Sequence, residues 1–337
     1  MEKQKIKSFD LIRCVCMLGI VQEHFYRLCK TYGMDFLLLN RINPLENLGL
    51  GGVGTAIFFM ISGAVLIYNY EDRNFDLKSF YFNRFIKMCP ILYFLHILFY
   101  IIYSIIQNNM MYKITIKSIL EVLIGKTLVG EWFTVVIFLC YLLFPILKHL
   151  YKTHRFMTTI VLFLVFVINQ KLTIFNIGGE RWFSYANGLF EFWLGMIFIG
   201  YKAKLKKVYL PFLAVSFICI LFLELKYNID GILFYIPTLM CGILLFLMLS
   251  YFNIENAFVS RISKYSYETY LVHHQIMYLL FPVFAKLMVT QKQYMLFFIL
   301  TMLLIYIISE KLNILNTGFV RKIKRQIVEY RIQKKAL

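Results

Sequence analysis

The amino-acid sequence predicts an all-α polytopic membrane protein with about ten transmembrane helices, and three observations lead to this prediction. Of the 337 residues, 60% are apolar or aromatic and only 16% are charged, whereas soluble domains have about 25% charged residues. The mean hydropathy is +0.69. Apolar stretches of about the 20 residues that a helix needs to cross a bilayer recur along the chain. A soluble fold lacks the interior volume to bury so many apolar side chains.

The first predicted span begins near residue 9 and does not resemble a cleaved signal peptide, because it contains charged residues and lacks a cleavage site of small residues. Nine further apolar stretches follow. The fifth is short, and the apolar piece at 118–130 is also short and is interpreted as interfacial or re-entrant. The count therefore lies between nine and eleven, with ten favoured. The ten predicted spans are 9–30, 48–70, 86–107, 132–150, 156–170, 182–201, 208–226, 231–252, 265–289 and 293–315.

The basic residues predict how the chain is oriented. There are 36 Lys and Arg against 18 Asp and Glu, and the cytoplasmic loops of membrane proteins collect Lys and Arg. If the N-terminus is cytoplasmic, the inside segments carry about twice as many Lys and Arg as the outside segments. We therefore predict a multi-pass protein of a bacterial-type cell membrane with both termini in the cytoplasm. The predicted inside segments are 1–8, 71–88, 148–155, 202–207, 253–264 and 311–337.

The end of the chain is its most basic part. Residues 321–337 are predicted to form a basic cytoplasmic tail, and 1–320 the transmembrane domain. A basic amphipathic stretch beside a span is typical of a segment that binds anionic lipid. We therefore expect membrane lipids, and not nucleic acid, as the partner of this positive charge.

Ionisable residues at membrane depth are costly, so each is a functional candidate. The first span holds Asp10, Arg13, Glu23 and His24. On an α-helix, Arg13 and His24 lie on nearly the same face, about 16 Å apart along the axis, and Asp10 shares that face. Histidine is the side chain that accepts and returns a proton near neutral pH. The alternatives are an interfacial Asp10–Arg13 ion pair that anchors the helix end, and a packing role for His24.

The sequence does not predict a metal site. It contains no HExxH motif and no cluster of Cys, His or carboxylate residues at ligand spacing. The seven cysteines are interpreted as small apolar side chains. His273 and His274 are adjacent and point about 100° apart on a helix, so at most one of them is expected to face a given site. The glycines at 49–54 are interpreted as allowing close helix packing.

Five motifs follow one another between residue 9 and about residue 276. FDLIRCVCMLGIVQEHF holds Arg13 and His24 in an Arg-x10-His spacing, and GGVGTAIFFMISGAVLIY opens the next span. FYFNRFIKMCPILY is basic and precedes the third span. EWFTVVIFLCYLLFP has a Trp-Phe opening and a Tyr-x3-Pro pattern, and SKYSYETYLVHHQI has a Ser…Tyr-Leu-x-His pattern. Together these motifs resemble the acyltransferase family 3, membrane proteins that acylate cell-surface sugars.

The resemblance has two departures. The family's basic motif usually carries two arginines three residues apart, whereas this chain has Arg84 followed by Lys87. Lysine keeps the positive charge but lacks the planar fork with which arginine binds phosphate through two hydrogen bonds. Some family members also carry an extracytoplasmic hydrolase-like domain, which this sequence lacks.

The resemblance implies an O-acyltransferase. It would transfer an acyl group, most simply acetyl, from cytoplasmic acetyl-CoA or another acyl-CoA to a hydroxyl of a cell-envelope polysaccharide or its lipid-linked precursor. His24 would be the general base, with Arg13 and Asp10 in the catalytic group, and Arg84, Lys87 and Arg13 would bind the donor. The resemblance also implies four substrate-binding residues: Glu23, Trp132, Tyr141 and His273.

Two other classes of function stay open at this point. The runner-up is a polysaccharide or lipid transporter, or flippase, in which the same intramembrane charges line a permeation path. The sequence shows no inverted repeat and no matched pair of broken helices, which makes this class less favoured. The third class is a non-catalytic membrane partner in glycan assembly, which has no use for the Arg13–His24 face.

Overall fold

A computed structural model describes residues 6–43, 48–72, 76–106, 120, 122–123, 127–129, 131–177, 183–204, 206–227 and 235–336. Within these ranges the chain is helical and forms no strand, which confirms the predicted all-α fold. Most of the predicted interfacial piece at 118–130 lies outside the described residues. The described helices are α1 (Ser8–Thr31), α2 (Leu37–Ile42), α3 (Leu50–Tyr70), α4 (Leu77–Ile106), α5 (Glu131–Thr153), α6 (Arg155–Leu172), α7 (Tyr185–Tyr201), α8 (Leu210–Tyr227), α9 (Ile236–Leu249), α10 (Ala257–Phe284) and α11 (Gln291–Ala336).

Each of the ten predicted spans coincides with one of these helices, and the short α2 is additional. Among the described residues, six helical segments are long and apolar enough to cross a membrane. The other four, α1, α7, α9 and α10, are either shorter or richer in polar residues. The number of ten crossing helices therefore stays a prediction. The six segments are Leu50–Tyr70, Leu77–Ile106, Trp132–Thr153, Arg155–Leu172, Lys207–Glu224 and Gln291–Ile327.

Polar side chains at the first turn mark where several helices begin. Asp76 accepts a hydrogen bond from the backbone N–H of Ser79 at 2.8 Å before α4, and this bond lowers the pKa of the Asp76 carboxyl. Ser184 accepts from two amides of the first turn of α7. Asn256 accepts from the backbone N–H of Val259 at 2.8 Å at the start of α10. These caps satisfy N–H groups that have no partner within the helix.

The centre of the bundle is the crossing of α3 and α7, which have the most extensive contact of any helix pair described. A Cβ atom at Gly63 would collide with the backbone carbonyl of Phe192, and one at Gly195 with the carbonyl of Met60. The two helices therefore meet backbone to backbone, as small residues allow in membrane proteins. Helix α1 packs against α3 and α10, and α10 packs against α11.

Contacts near the ends of the helices agree with the predicted sidedness of the chain. The Lys7 ammonium lies 2.9 Å from the Glu255 carboxylate, and the Lys202 ammonium lies 5.6 Å from the ring centre of Phe9. Three segments predicted to be inside are thus gathered at one end of the bundle. At the opposite end, Gln291 accepts from the backbone N–H of Leu37 at 3.0 Å. Which end faces the cytoplasm stays a prediction.

Helix α11 has 46 residues, which corresponds to about 70 Å at 1.5 Å per residue. This is more than twice the roughly 30 Å thickness of the hydrocarbon core. The helix continues through residue 320 without interruption, so the predicted basic tail is the continuation of the last helix. The division into 1–320 and 321–337 stays a prediction about function and charge.

Candidate active site

A cavity with a volume of about 760 Å³ lies between α1, α3, α4, α5, α10 and α11. Positive side chains line one part of it, and the rest is lined by apolar, hydroxyl and amide side chains and by the carboxylate of Glu268. We call it the basic cavity. Its cations come from four helices, which makes it a site of strong positive potential. They are Arg13, Arg84, Lys87, Lys264, Arg321 and Lys324.

Arg84 has an environment suited to an anionic ligand. Its guanidinium carbon lies 5.6 Å from the ring centre of Phe80 and 5.5 Å from that of Tyr141. Its Nε atom is buried and has no hydrogen-bond partner among the described residues. A buried donor without a partner is costly, so a ligand oxygen at this position would stabilise the arrangement. Lys87, one turn further along α4, also lines the cavity and is exposed.

Arg13 and Asp10 occupy different positions relative to the basic cavity. Arg13 lines it, whereas Asp10 is buried outside its lining and accepts a hydrogen bond from the Ser263 hydroxyl at 2.9 Å. The closest nitrogen of Arg13 lies 3.7 Å from the Asp10 carboxylate. Asp10 therefore ties α1 to α10 and orients Arg13. The ion pair that the sequence offered as an alternative is present, and it leaves Arg13 facing the cavity.

Helix α11 contributes cavity residues that the sequence motifs did not indicate. The Glu268 carboxylate accepts hydrogen bonds from the side-chain amides of Asn313 at 3.2 Å and Asn316 at 3.0 Å. Asn316 also donates to the backbone carbonyl of Lys87 at 3.2 Å. This buried polar set holds α11 against α4 and α10. Its position brings Arg321, on the basic end of α11, to the cavity.

A second cavity, of about 420 Å³, lies beside the first and contains His24. We call it the histidine cavity. Ile20, Thr55 and Tyr270 line both cavities. The two cavities therefore share a wall, at about the midpoint between Arg13 and His24 along α1.

His24 lies against both adjacent histidines of α10. The centre of its ring is 5.2 Å from that of His273 and 3.8 Å from that of His274. The expectation that at most one of the pair faces a given site holds for the cavity, which His274 lines and His273 does not. Both rings nevertheless lie close to His24, because α1 packs along α10. His273 is 1% exposed, and its Nδ1 lies 2.7 Å from the carbonyl oxygen of Tyr270.

The four residues predicted to bind substrate are found in different places. Trp132 lines the histidine cavity and stacks on Phe183, with ring centres 5.0 Å apart. Tyr141 instead lines the basic cavity. His273 touches His24, as described above.

Glu23 has partners within the protein. Its buried carboxylate accepts from the Arg27 Nε at 2.7 Å and from the backbone N–H of Gly51. The side chain thereby joins α1 to the start of α3. Glycine is needed at position 49, since a Cβ atom there would collide with the carboxylate.

Fold and site together define a class of protein. The chain is an all-helical membrane protein whose interior joins a cation-lined cavity to one containing a histidine, the arrangement of an enzyme that works within the membrane. Residues 6–310 match the sequence model of the acyltransferase 3 family, described as an acyltransferase domain. The chain therefore belongs to this family and is a multi-pass membrane acyltransferase. Comparisons with curated proteins and with solved structures found no match.

Proposed function

We propose that this acyltransferase moves an acyl group, acetyl in the simplest case, from acyl-CoA to a hydroxyl of a cell-envelope polysaccharide or its lipid-linked precursor. One observation carries the proposal. The basic cavity and the histidine cavity share a wall, so an anionic donor and a neutral acceptor can approach the same point from opposite ends of the bundle.

The basic cavity suits the donor because CoA carries a diphosphate and a 3′-phosphate. Arginine and lysine bind phosphate through charge-assisted hydrogen bonds. Arg84 has a buried N–H without a partner among the described residues. Lys87, Lys264, Arg321 and Lys324 add to the positive lining and lie in or beside segments that the sequence predicts to be cytoplasmic. We propose that the nucleotide end of CoA lies among these cations and that Arg13 meets the inner end of the pantetheine arm.

The length of the donor's pantetheine arm agrees with the separation of Arg13 and His24. Arg13 and His24 are separated by about 16 Å along α1, from 1.5 Å of rise per residue. An extended pantetheine arm spans on the order of 15 Å by ordinary chain dimensions. With its phosphates near Arg13 and Arg84, the donor would therefore extend past the shared wall and hold its thioester beside His24.

In the proposed reaction, an unprotonated ring nitrogen of His24 accepts the proton of the acceptor hydroxyl while the hydroxyl oxygen attacks the thioester carbonyl. The new C–O bond forms, and the C–S bond then breaks as the carbonyl is restored. The CoA sulfur leaves with the proton that His24 returns. The histidine ends in its starting state, and the atoms balance without a redox partner.

The histidine cavity supports a sugar as the acceptor. Trp132 and Phe183 form a stacked aromatic pair on its wall, and Tyr278 and Thr31 add polar groups to its lining. Ligand pockets commonly combine aromatic surfaces with a few polar groups that fix orientation. We propose that a sugar ring packs on the Trp132 side and presents its hydroxyl to His24.

The decisive test uses the purified full-length protein in detergent with radiolabelled acetyl-CoA. An acyltransferase should bind acetyl-CoA and hydrolyse it slowly, and it should label an added cell-envelope glycan. NMR spectra of the surface glycan from cells with and without the protein would identify the acylated hydroxyl. A folded protein that neither binds nor turns over any acyl-CoA would contradict the proposal and favour the transporter alternative.

A further inference from the structure

Three imidazoles from distant parts of the chain meet at the edge of the histidine cavity, which His24 and His274 line and behind which His273 is buried. The nitrogen atoms that His24, His273 and His274 offer as ligands all lie within 4.8 Å of one another. A tetrahedral zinc ion with Zn–N bonds of 2.0–2.1 Å needs nitrogens about 3.4 Å apart. The three side chains are thus close to the spacing of a three-histidine metal site. A local sequence pattern does not reveal this site, because His24 lies on α1 and the other two lie on α10.

His273 is already oriented as a metal ligand would be. Its Nδ1 lies 2.7 Å from the carbonyl oxygen of Tyr270 and 3.1 Å from that of Thr269. Carbonyl oxygens only accept hydrogen bonds, so Nδ1 carries the hydrogen and Nε2 keeps its lone pair. Metal-binding histidines are typically held by such a backbone carbonyl. The Nε2 atom is buried and has no hydrogen-bond partner in the part of the chain that the structure describes, so a ligand at this atom would satisfy it.

The residues around the three histidines indicate which type of metal ion they would bind. No carboxylate is found among the described residues that line the histidine cavity. Mg²⁺ and Ca²⁺ prefer oxygen ligands, whereas imidazole suits zinc and related transition metals. The one cation in the lining, Arg27, is paired with the buried Glu23 carboxylate at 2.5 Å, which offsets its charge. Three neutral nitrogens and an open side toward the cavity are the ligand set of a Zn²⁺ site with one free position.

We propose that His24, His273 and His274 bind one Zn²⁺ ion, and that this ion inhibits the enzyme. The inhibition rests on the proposed function, because it requires His24 to act as the base. A ring nitrogen whose lone pair is bonded to zinc cannot accept the proton of a hydroxyl. Zinc and the acceptor proton would therefore compete for the same atom, and a chelator would restore activity.

Metal binding is tested without reference to activity. Zn²⁺ alone is titrated by calorimetry into the full-length protein that has been treated with a chelator. One ion per chain should bind, and His24→Gln, His273→Gln and His274→Gln should each weaken binding by roughly tenfold or more. His96→Gln is the matched control, since His96 accepts from the backbone N–H of Leu128 at 3.1 Å, outside the cluster. Size-exclusion profiles and melting temperatures verify that each variant is folded.

The outcomes separate this proposal from the proposed function. Absence of Zn²⁺ binding in the folded wild type, or binding that His273→Gln leaves unchanged, overturns the metal site. In the transfer assay, Zn²⁺ should inhibit the wild type reversibly, and the activity remaining in His274→Gln should be insensitive to the same concentration. Zinc that binds at the cluster without inhibiting transfer overturns the inhibitory role. If zinc binds at the cluster but the protein turns over no acyl-CoA, the site stands and the proposed function fails.

Discussion

At the residue scale, the proposed chemistry depends on the imidazole of His24. Replacing a general base typically reduces the rate by 10²- to 10⁴-fold. His24→Gln should therefore reduce acyl transfer by about this factor, while expression and melting temperature stay near wild type because glutamine fills a similar volume. Transfer of labelled acetyl to glycan measures the effect. His273→Gln should be less harmful, and near-normal transfer by His24→Gln would show that the catalytic assignment is wrong.

Arg84 is the residue on which donor binding should depend most. A hydrogen bond to a charged group contributes about 1.5–3 kcal/mol. Arg84→Ala should therefore raise the dissociation constant for acyl-CoA by about tenfold to a hundredfold. Arg325→Ala is a suitable control, because Arg325 is paired with Glu329 at 3.3 Å and lies outside the cavity lining. Calorimetry with acetyl-CoA makes the measurement. Equal affinity in wild type and Arg84→Ala would remove Arg84 from the donor site.

At the scale of elements, Glu23 joins two helices. Its carboxylate binds Arg27 on α1 and the first turn of α3. Glu23→Gln keeps a hydrogen-bond acceptor but loses the charge, and should destabilise the protein by roughly 1–3 kcal/mol. Melting in detergent should show a lower transition temperature together with reduced transfer. Unchanged melting with lost transfer would instead support the substrate-binding role that the sequence resemblance implies.

A second prediction at this scale concerns the crossing of α3 and α7. In Gly195→Ala, the new methyl group would collide with the carbonyl of Met60, so the helices must separate. Overpacking of this kind costs about 1–3 kcal/mol. Gly318→Ala is the matched control, since nothing lies within 4 Å of the position of its Cβ. Melting temperatures of the two variants should differ clearly. Equal values would mean that the crossing does not require glycine.

At the scale of the whole molecule, the orientation in the membrane determines which cavity the donor can enter. Asp35 and Lys204 are exposed and lie in segments predicted to be outside and inside, respectively. In a Cys219→Ser background, which removes the exposed native cysteine, we expect a membrane-impermeant maleimide to label Asp35→Cys in intact cells. It should label Lys204→Cys only after permeabilisation. The reverse pattern would open the basic cavity to the outside and contradict the proposed use of cytoplasmic acyl-CoA.

The sequence by itself determined the class of fold and the family. Hydropathy and helix periodicity are properties of short stretches, so every predicted span coincides with a helix. The Arg-x10-His spacing lies within one helix, and the rise of that helix sets the separation of Arg13 and His24 without reference to the rest of the fold. The order of the motifs identified the acyltransferase family, which the match over residues 6–310 confirms.

Only the tertiary structure decided which distant residues meet. Lys264, Arg321 and Lys324 join the basic cavity because Glu268 holds α11 against α10. Both histidines of α10 reach His24 because α1 packs along that helix. Such contacts depend on the rotation and crossing of whole helices, and each residue of offset turns a side chain by about 100°. No local pattern records these rotations, so the meeting of the two cavities and the three-histidine cluster could not be read from the sequence.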